Sequence, residues 1–235
     1  MKSLLRRSPM YHLHRMSGAT VSDYSGWSLP SSYTTLEEDF ERLMKVGGIC
    51  DISHYGKLNV QGNDVFNVLT SRLNLDSDLC VGSSHSSNLL VNGNPTGENV
   101  VATGLAYDEA LVLTRPGKVS LVVKALESSS ANCVHLVDYT SSLAGVIIAG
   151  CRSRSMLSRI VEYDLDDSVF PNGASVQCKA AEVHVIIIRS DLGELPAFQI
   201  YITRDFGEYF WNALLHAGVS DGISPVGLES VMRLG

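Results

Sequence analysis

Short apolar segments that alternate with amphipathic helical segments constrain the fold of this chain more than any other feature. Seven segments have the length of β-strands, and most of them are rich in Val and Ile. They cover residues 57–60, 99–103, 110–114, 134–137, 145–149, 183–188 and 198–202. Pairs of such segments followed by a helix recur before and after residue 130, which predicts an α+β fold and is compatible with two related halves. Stretches 83–87 and 92–97 are predicted to be loops.

The helices have apolar residues at helical spacing and recognisable ends. In the clearest one, over residues 34–47, Thr34 and Glu37 have the spacing of a capping box, and Gly47 forms the stop. Further helices are predicted over residues 63–71, 116–130, 153–163 and 206–217.

The composition excludes several classes of protein. The 235 residues include 25 Asp or Glu and 18 Lys or Arg, which gives a net charge of −7, and 45% of them are hydrophobic. Such a chain is too apolar for intrinsic disorder and too acidic for a dedicated nucleic-acid-binding protein. No apolar run approaches the roughly 20 residues of a membrane-spanning helix, and the N-terminus does not follow the pattern of a secretory signal. We expect a globular protein without nucleic-acid or membrane partners.

The cysteine and histidine positions predict neither a disulfide framework nor a metal site. The cysteines are odd in number, widely spaced and without a C-x-x-C pair, so free thiols in a reducing cytoplasm are expected. They are Cys50, Cys80, Cys133, Cys151 and Cys178. His12 and His14 could chelate a metal from one face of a strand, but no third ligand has a suitable spacing. An exposed histidine pair is the favoured interpretation.

Three groups of motifs, in order along the chain, identify a family resemblance. They are V-S-D-Y-S-G-W-S-L-P at 21–30 with C-D-I-S-H-Y-G at 50–56, E-N-V-V-A-T at 98–103 with D-E-A-L-V-L at 108–113, and F-W-N-A-L-L-H-A-G at 210–218 with P-V-G-L at 225–228 and R-L at 233–234. In this order and at nearly this spacing they resemble the glycine cleavage system T-protein (aminomethyltransferase) family.

The resemblance implies a fold of two interleaved lobes, each an antiparallel sheet with flanking helices, around a folate-binding channel. Residues 1–235 would form a single folate-binding unit, with one lobe from 1–56 and 140–235 and the other from 57–139. Family members usually continue into a C-terminal β-barrel that closes the channel, whereas this sequence ends at Gly235, which is expected either of a short family member or of a fragment. We therefore expect a partner protein, or self-association, to cover the side of the channel that the barrel closes.

The resemblance also implies a reaction in which a one-carbon unit moves from an aminomethyl donor to tetrahydrofolate and ammonia is released. In the family, the second acid of a strand pair lies against the folate amine. Here that pair reads Glu98-Asn99, so Asn99 occupies the catalytic position. An amide can hydrogen-bond an amine but cannot take a proton. Glu98 should point to the opposite face as a solvated acid, unless a β-bulge turns it inward.

Other family folate contacts also differ in residue type. Leu113 and Arg115 end the following strand, and Arg115 stands where the family has a pterin-contacting Asn. Gln199 replaces a Glu that grips the pterin ring, and Arg233 matches the second Arg of the C-terminal family motif. The resemblance thus implies Leu113, Arg115, Gln199 and Arg233 as folate-binding residues, with Asn99 and Glu98 at the catalytic position.

Three functions stay open at this point. The first is a folate-dependent aminomethyltransferase of one-carbon metabolism. The second is a family relative without catalysis that serves as a binding or regulatory subunit. The third, the iron–sulfur-maintenance branch of the family, needs a cysteine motif that normally lies further along the chain than residue 235.

Overall fold

The structure is a computed structural model that describes residues 5–75, 77–91, 94–127 and 134–234. The strands are β1 (Arg6–Arg7), β2 (Thr20–Tyr24), β3 (Trp27–Ser32), β4 (Gly48–Asp51), β5 (Gly56–Gln61), β6 (Ser84–Val91), β7 (Asn94–Ala106), β8 (Glu109–Thr114), β9 (His135–Asp138), β10 (Leu143–Ala149), β11 (Ser175–Ala180), β12 (Val183–Arg189), β13 (Ala197–Thr203) and β14 (Ser224–Pro225). The helices are α1 (Tyr11–Met16), α2 (Leu36–Lys45), α3 (Val65–Leu73), α4 (Val119–Glu127), α5 (Ser153–Leu157), α6 (Gly207–Gly218) and α7 (Leu228–Met232).

The α+β fold class is confirmed. The strands form three open sheets, in the orders β1-β3-β2, β11-β12-β13-β10-β4-β14 and β6-β7-β8-β5-β9, and no closed barrel occurs in the residues described. Almost all neighbouring strands pair antiparallel. Each of the seven predicted strands overlaps an observed one.

Several local predictions are wrong. Residues 83–87 are not a loop, because from Ser84 onward they form β6, whose backbone pairs with β7 despite the low strand propensity of serine. The helix predicted over 153–163 ends at Leu157. The capping box of α2 starts at Thr35, whose hydroxyl accepts from the Glu38 N–H, one residue later than predicted. Residues 92–93, the serine run 128–130 and Cys133 lie outside the described residues.

The chain divides into two compact units, and the first consists of residues 1–54, 142–172 and 177–235. Its six-stranded sheet is built around β10, which pairs with β13 on one side and β4 on the other. Helix α7 packs on β3 and α2. Gly227 precedes α7 and lies so close to the Ser31 carbonyl that a Cβ at this position would clash with it at 1.9 Å. A glycine is therefore required here by close backbone approach.

The second unit consists of residues 55–141 and 173–176 and contains the five-stranded sheet. Helices α3 and α4 cover one face of this sheet. The core between them is formed by apolar side chains that alternate along the strands, including Leu58, Val60, Val100, Ala102, Ala110 and Val112. The residues between these positions therefore point to the other face.

The described residues contain no helix long and apolar enough to span a membrane. They also contain no group of three or more His, Cys, Asp or Glu side chains arranged to hold a metal ion. Cys50, Cys80, Cys151 and Cys178 are free thiols.

Candidate functional site

Asn99, to which the motif resemblance assigns the catalytic position, lies on the face of the five-stranded sheet opposite α3 and α4, which we call the polar face. Val100 and Ala102 point into the helix-covered core, so Asn99, Val101 and Thr103 alternate onto the polar face. Asn99 is exposed. Its side chain has no hydrogen bond within the described part of the chain.

Two further polar side chains lie near Asn99, one in the neighbouring strand β6 and one directly after β8. Asn88 of β6 pairs directly with Asn99, and the pairing of Val100 with Thr114 places Arg115 at the next position on the other side. Asn88, Asn99 and Arg115, which we call the donor row, are all exposed. In the residues described, none of the three side chains makes a hydrogen bond or ion pair. Their N–H groups are thus available to a ligand.

Glu98 does not reach the donor row. Its Oε1 lies 2.7 Å from Nζ of Lys118, the residue before α4, and only 15% of its side chain is exposed. Glu98 lies in an irregular stretch of β7, between the pairs Asn88–Asn99 and Leu90–Pro95. The expectation of a solvated acid is wrong, because this ion pair holds the carboxylate at the start of α4. In this conformation the Glu98 carboxylate therefore lies away from the polar face.

Buried polar side chains continue the polar face beyond the donor row. Lys57 is fully buried, and its ammonium group donates to the carbonyls of Tyr55 at 2.8 Å and Thr140 at 3.3 Å. Asn59 is also buried; its Nδ2 donates to Glu109 at 2.6 Å, whereas its Oδ1 has no hydrogen-bond partner in the described residues. A ligand N–H or a water would satisfy such an oxygen.

In the first unit, Gln199 lies on β13 in an intermediate environment. The hydroxyl of Tyr201, two residues further on the same face, donates to Gln199 Oε1 at 2.6 Å. The Tyr201 ring packs over Gly145 on the paired strand, where a Cβ would lie 3.0 Å from the ring. The hydroxyl thus takes one of the two lone pairs of the Gln199 amide oxygen, and the two amide N–H groups remain as donors.

Arg233, the last of the implied folate-binding residues, is exposed at the end of α7. Its guanidinium lies over the ring of Phe40, 4.5 Å from the centroid. This cation–π contact gives Arg233 a packing role within the first unit.

His14 is buried, which makes the interpretation of an exposed histidine pair wrong. His12 and His14 lie on helix α1 rather than on a strand, so they point to different sides; only His12 is exposed. His14 Nε2 lies 2.8 Å from Asp51 Oδ2, and its Nδ1 lies 2.6 Å from the hydroxyl of Tyr33. The network is satisfied when Tyr33 donates to Nδ1 and Nε2 donates to Asp51.

Asp51 completes this group, which we call the Asp51 network. Its carboxylate also accepts from the Ser53 N–H at 2.8 Å and from the Ser8 hydroxyl. Burial by itself would raise the pKa of Asp51, but the hydrogen bonds from His14, Ser53 and Ser8 outweigh it and lower the pKa. Burial, together with the nearby Asp51 charge, raises the pKa of Tyr33 well above its usual value. The phenol therefore stays protonated as a donor.

Sequence reasoning identified only part of this arrangement. The structure brings Asn99, Leu113 and Arg115 to one face of the second unit, while Glu98 is held at the start of α4. Gln199 and Arg233 belong to the first unit. Asn88, Lys57 and Tyr201 were missed. The alternation of Lys57 and Asn59 with apolar neighbours, and the two-residue spacing of Gln199 and Tyr201, were signals that could have found two of them.

Curated proteins with sequences similar to this chain include aminomethyltransferases. That of Anoxybacillus flavithermus is 24% identical over 226 residues, which are 96% of this chain and 62% of that protein. That of Halalkalibacterium halodurans is 22% identical over 228 residues, which are 95% of this chain and 61% of that protein. The chain thus spans about three-fifths of the length of the curated relatives it matches.

Two solved structures share the fold. The glycine cleavage system aminomethyltransferase T from Bartonella henselae has a TM-score of 0.78 at 21% identity, over 96% of this chain and 60% of that one. A chain of the heterotetrameric sarcosine oxidase from Corynebacterium sp. U-96 has a TM-score of 0.62 at 17% identity, over 92% of this chain and 96% of that one.

The family resemblance deduced from the motifs is confirmed at the level of the whole sequence. The GCVT N-terminal domain matches residues 10–235, which includes all three groups of motifs. The chain therefore belongs to the GCVT N-terminal domain family, of the glycine cleavage T-protein type.

Proposed function

We propose that this chain binds a reduced folate but does not carry out aminomethyl transfer by itself. The observation that carries the proposal is the exposed amide of Asn99 at the family's catalytic position, together with the ion pair that holds Glu98 beside Lys118. Membership of the family supports the folate part of the proposal. The residue types on the polar face support the absence of aminomethyl transfer.

The chemical reason is that transfer needs a group that orients an amine and tolerates positive charge developing on it. Asn99 can orient a ligand, but its amide carries no charge and accepts no proton at neutral pH. Arg115, beside it in the donor row, adds a positive charge where a negative one would be needed. Glu109, which lies on the polar face, is engaged by the amides of Asn59 and Gln61.

The hydrogen-bonding groups of the polar face fit part of a folate. The unpartnered Oδ1 of Asn59 fits an N–H donor such as those on a pteridine ring, and the donor row fits an acceptor. Asn59 pairs with Leu111, four residues before Arg115, so Asn59 and the donor row are about 13 Å apart along the strand direction. They do not fit a reacting amine, which would meet donors at Asn99 and Arg115.

Isothermal titration calorimetry with tetrahydrofolate and with 5-formyltetrahydrofolate tests the binding half of the proposal. Micromolar binding of at least one of them is expected, whereas failure of both to bind at millimolar concentration would contradict it. The catalytic half is tested by ammonia release from an aminomethylated lipoyl carrier protein in the presence of tetrahydrofolate. The wild-type chain should release none above the rate without protein.

Asn99→Asp sharpens the catalytic test. If the scaffold still forms the site, the restored carboxylate should produce measurable ammonia release that the wild type lacks. Turnover by the wild type at the rate of the Asn99→Asp variant would refute the proposal, because the amide would then be sufficient.

A second candidate function is that of a subunit in a larger enzyme assembly, with or without folate. Its support is the fold shared with the sarcosine oxidase chain, which matches over nearly its whole length and comes from a heterotetramer. Sedimentation velocity of the purified chain at several concentrations tests self-association as the simplest form of assembly. A monomer at every concentration would exclude self-association and leave a different partner protein as the form of this candidate.

A further inference from the structure

We propose that the donor row selects a reduced folate that bears an N-formyl group, and binds it more tightly than tetrahydrofolate itself. This inference rests on the proposed folate binding and adds the chemical class of the ligand. Its basis is the hydrogen-bonding character and charge of Asn88, Asn99 and Arg115.

The register of the sheet brings the three side chains within reach of one small chemical group. Asn88 and Asn99 pair directly, and Arg115 follows the Val100–Thr114 pair. Side chains directly opposite on neighbouring antiparallel strands have Cβ atoms about 5 Å apart. A carbonyl oxygen placed over Asn99 can therefore accept from Asn99 and from either neighbour.

The donor row offers mainly N–H groups. Each asparagine has two N–H donors and one carbonyl acceptor, and the guanidinium of Arg115 has donors only. These groups have no competing intramolecular partner in the described residues, so a ligand need not displace one. An amine N–H facing this row would meet mostly donors, whereas a formyl oxygen would be hydrogen-bonded.

The charge of the polar face also favours a carbonyl oxygen over a protonated amine. Arg115 is cationic, and Lys57, buried on the same face, is in register with Leu113, two residues before Arg115. Of the nearby acids, Glu98 is paired with Lys118 and Glu109 lies at the far end of the face beside Gln61. Around the donor row the face is thus positive, although the whole chain has a net charge of −7. A positive face opposes a protonated amine and favours a polarised carbonyl oxygen.

Gln199 supplies an independent observation in the first unit. Tyr201 donates to its Oε1 at 2.6 Å, so two N–H donors and one remaining lone pair of the amide are left for a ligand. A glutamate at this position would present acceptors only. Gln199, considered within its own unit, therefore offers N–H donors at a position where the family pattern has a carboxylate.

The decisive experiment compares tetrahydrofolate with 5-formyltetrahydrofolate by isothermal titration calorimetry on the full chain. The two ligands share the ring system and the glutamate tail. Tetrahydrofolate has an amine N–H at the position where 5-formyltetrahydrofolate has a formyl group. The wild type should bind the formyl compound at least tenfold more tightly. Asn99→Asp should reverse this order, because a carboxylate repels the formyl oxygen and accepts from the amine.

Two further variants locate the effect. Asn88→Ala should weaken binding of 5-formyltetrahydrofolate severalfold and leave tetrahydrofolate almost unchanged. Asn212→Asp, the same chemical change at an exposed position of α6, should leave both affinities as in the wild type. Circular dichroism melting of each variant checks that the fold is retained.

The possible outcomes distinguish a failure of the formyl selectivity from a failure of folate binding. If neither compound binds, folate binding itself fails and the inference fails with it. If tetrahydrofolate binds as tightly as the formyl compound or more tightly, or if Asn99→Asp leaves the order unchanged, folate binding stands and the selectivity is refuted.

Discussion

The Asp51 network and the donor row are both polar groups attached to β-sheets, yet their surroundings differ completely. In the network, the carboxylate and imidazole are fully buried, and Ser8, Ser53 and Tyr33 complete their hydrogen bonds. In the donor row, Asn88, Asn99 and Arg115 are exposed and have no side-chain partner among the described residues. The first group therefore contributes to stability, and the second is available for recognition.

The physical basis of this difference is desolvation. A polar group withdrawn from water costs several kcal/mol unless it is hydrogen-bonded, so every partner in a buried network matters. An exposed amide keeps its water in the folded and unfolded states, so replacing it changes stability little. The four predictions below test this contrast, from the largest expected effect to the smallest.

Asp51→Asn should lower the free energy of unfolding by about 3–5 kcal/mol, because it leaves the donors of His14, Ser8 and Ser53 without their charged acceptor. Urea denaturation followed by circular dichroism measures the change. Glu41→Gln is the matched control, since Glu41 belongs to an exposed ion pair with Lys45 and should cost less than about 1 kcal/mol. Equal effects of the two variants would remove the contrast.

The pH dependence of stability should reveal the same carboxylate. The pKa of Asp51 is lower in the folded protein than in the unfolded chain, where it is about 3.9. Its stabilisation is therefore complete above that value and is lost as the pH falls from about 4 through the folded pKa. Urea denaturation between pH 7 and pH 3 should show a steeper acid loss for the wild type than for Asp51→Asn. Parallel curves would show that Asp51 is not the titrating group.

Tyr33→Phe should lower the free energy of unfolding by about 1–3 kcal/mol, because it removes the hydroxyl that hydrogen-bonds His14 Nδ1 and leaves this buried nitrogen unsatisfied. Tyr209→Phe removes a hydroxyl from a half-exposed ring on α6 and should have almost no effect. The difference in melting temperature between the two variants measures the value of the buried hydrogen bond. A Tyr33→Phe variant as stable as Tyr209→Phe would contradict the proposed network.

Asn88→Ala and Asn99→Ala should each change the free energy of unfolding by less than about 0.5 kcal/mol, because neither side chain has a partner to lose. The same variants should weaken binding of 5-formyltetrahydrofolate. Thermal melting with and without this ligand measures both effects in one experiment, since a ligand stabilises the state that binds it. A large loss of stability without ligand would show that the two amides stabilise the fold, as the Asp51 network does, and are not free for recognition.

The sequence by itself determined the fold class, most of the strands and helices, the family, and the amide at position 99. These features are local: strand and helix periodicity is present within ten residues, and the motif spacing fixes which residue follows Glu98. The same local reasoning misassigned residues 84–87 to a loop, because these residues form a strand only through pairing with β7.

Only the tertiary structure decided the partners of the polar side chains. His14 hydrogen-bonds Asp51, which is 37 residues away in the sequence. Lys118 forms an ion pair with Glu98, and Asn88 lies opposite Asn99 because of the strand register. These contacts depend on how distant segments pack and on which residues lie opposite each other. The pattern of residues along one sequence does not specify that register. The buried network and the exposed donor row are therefore products of packing rather than of local sequence.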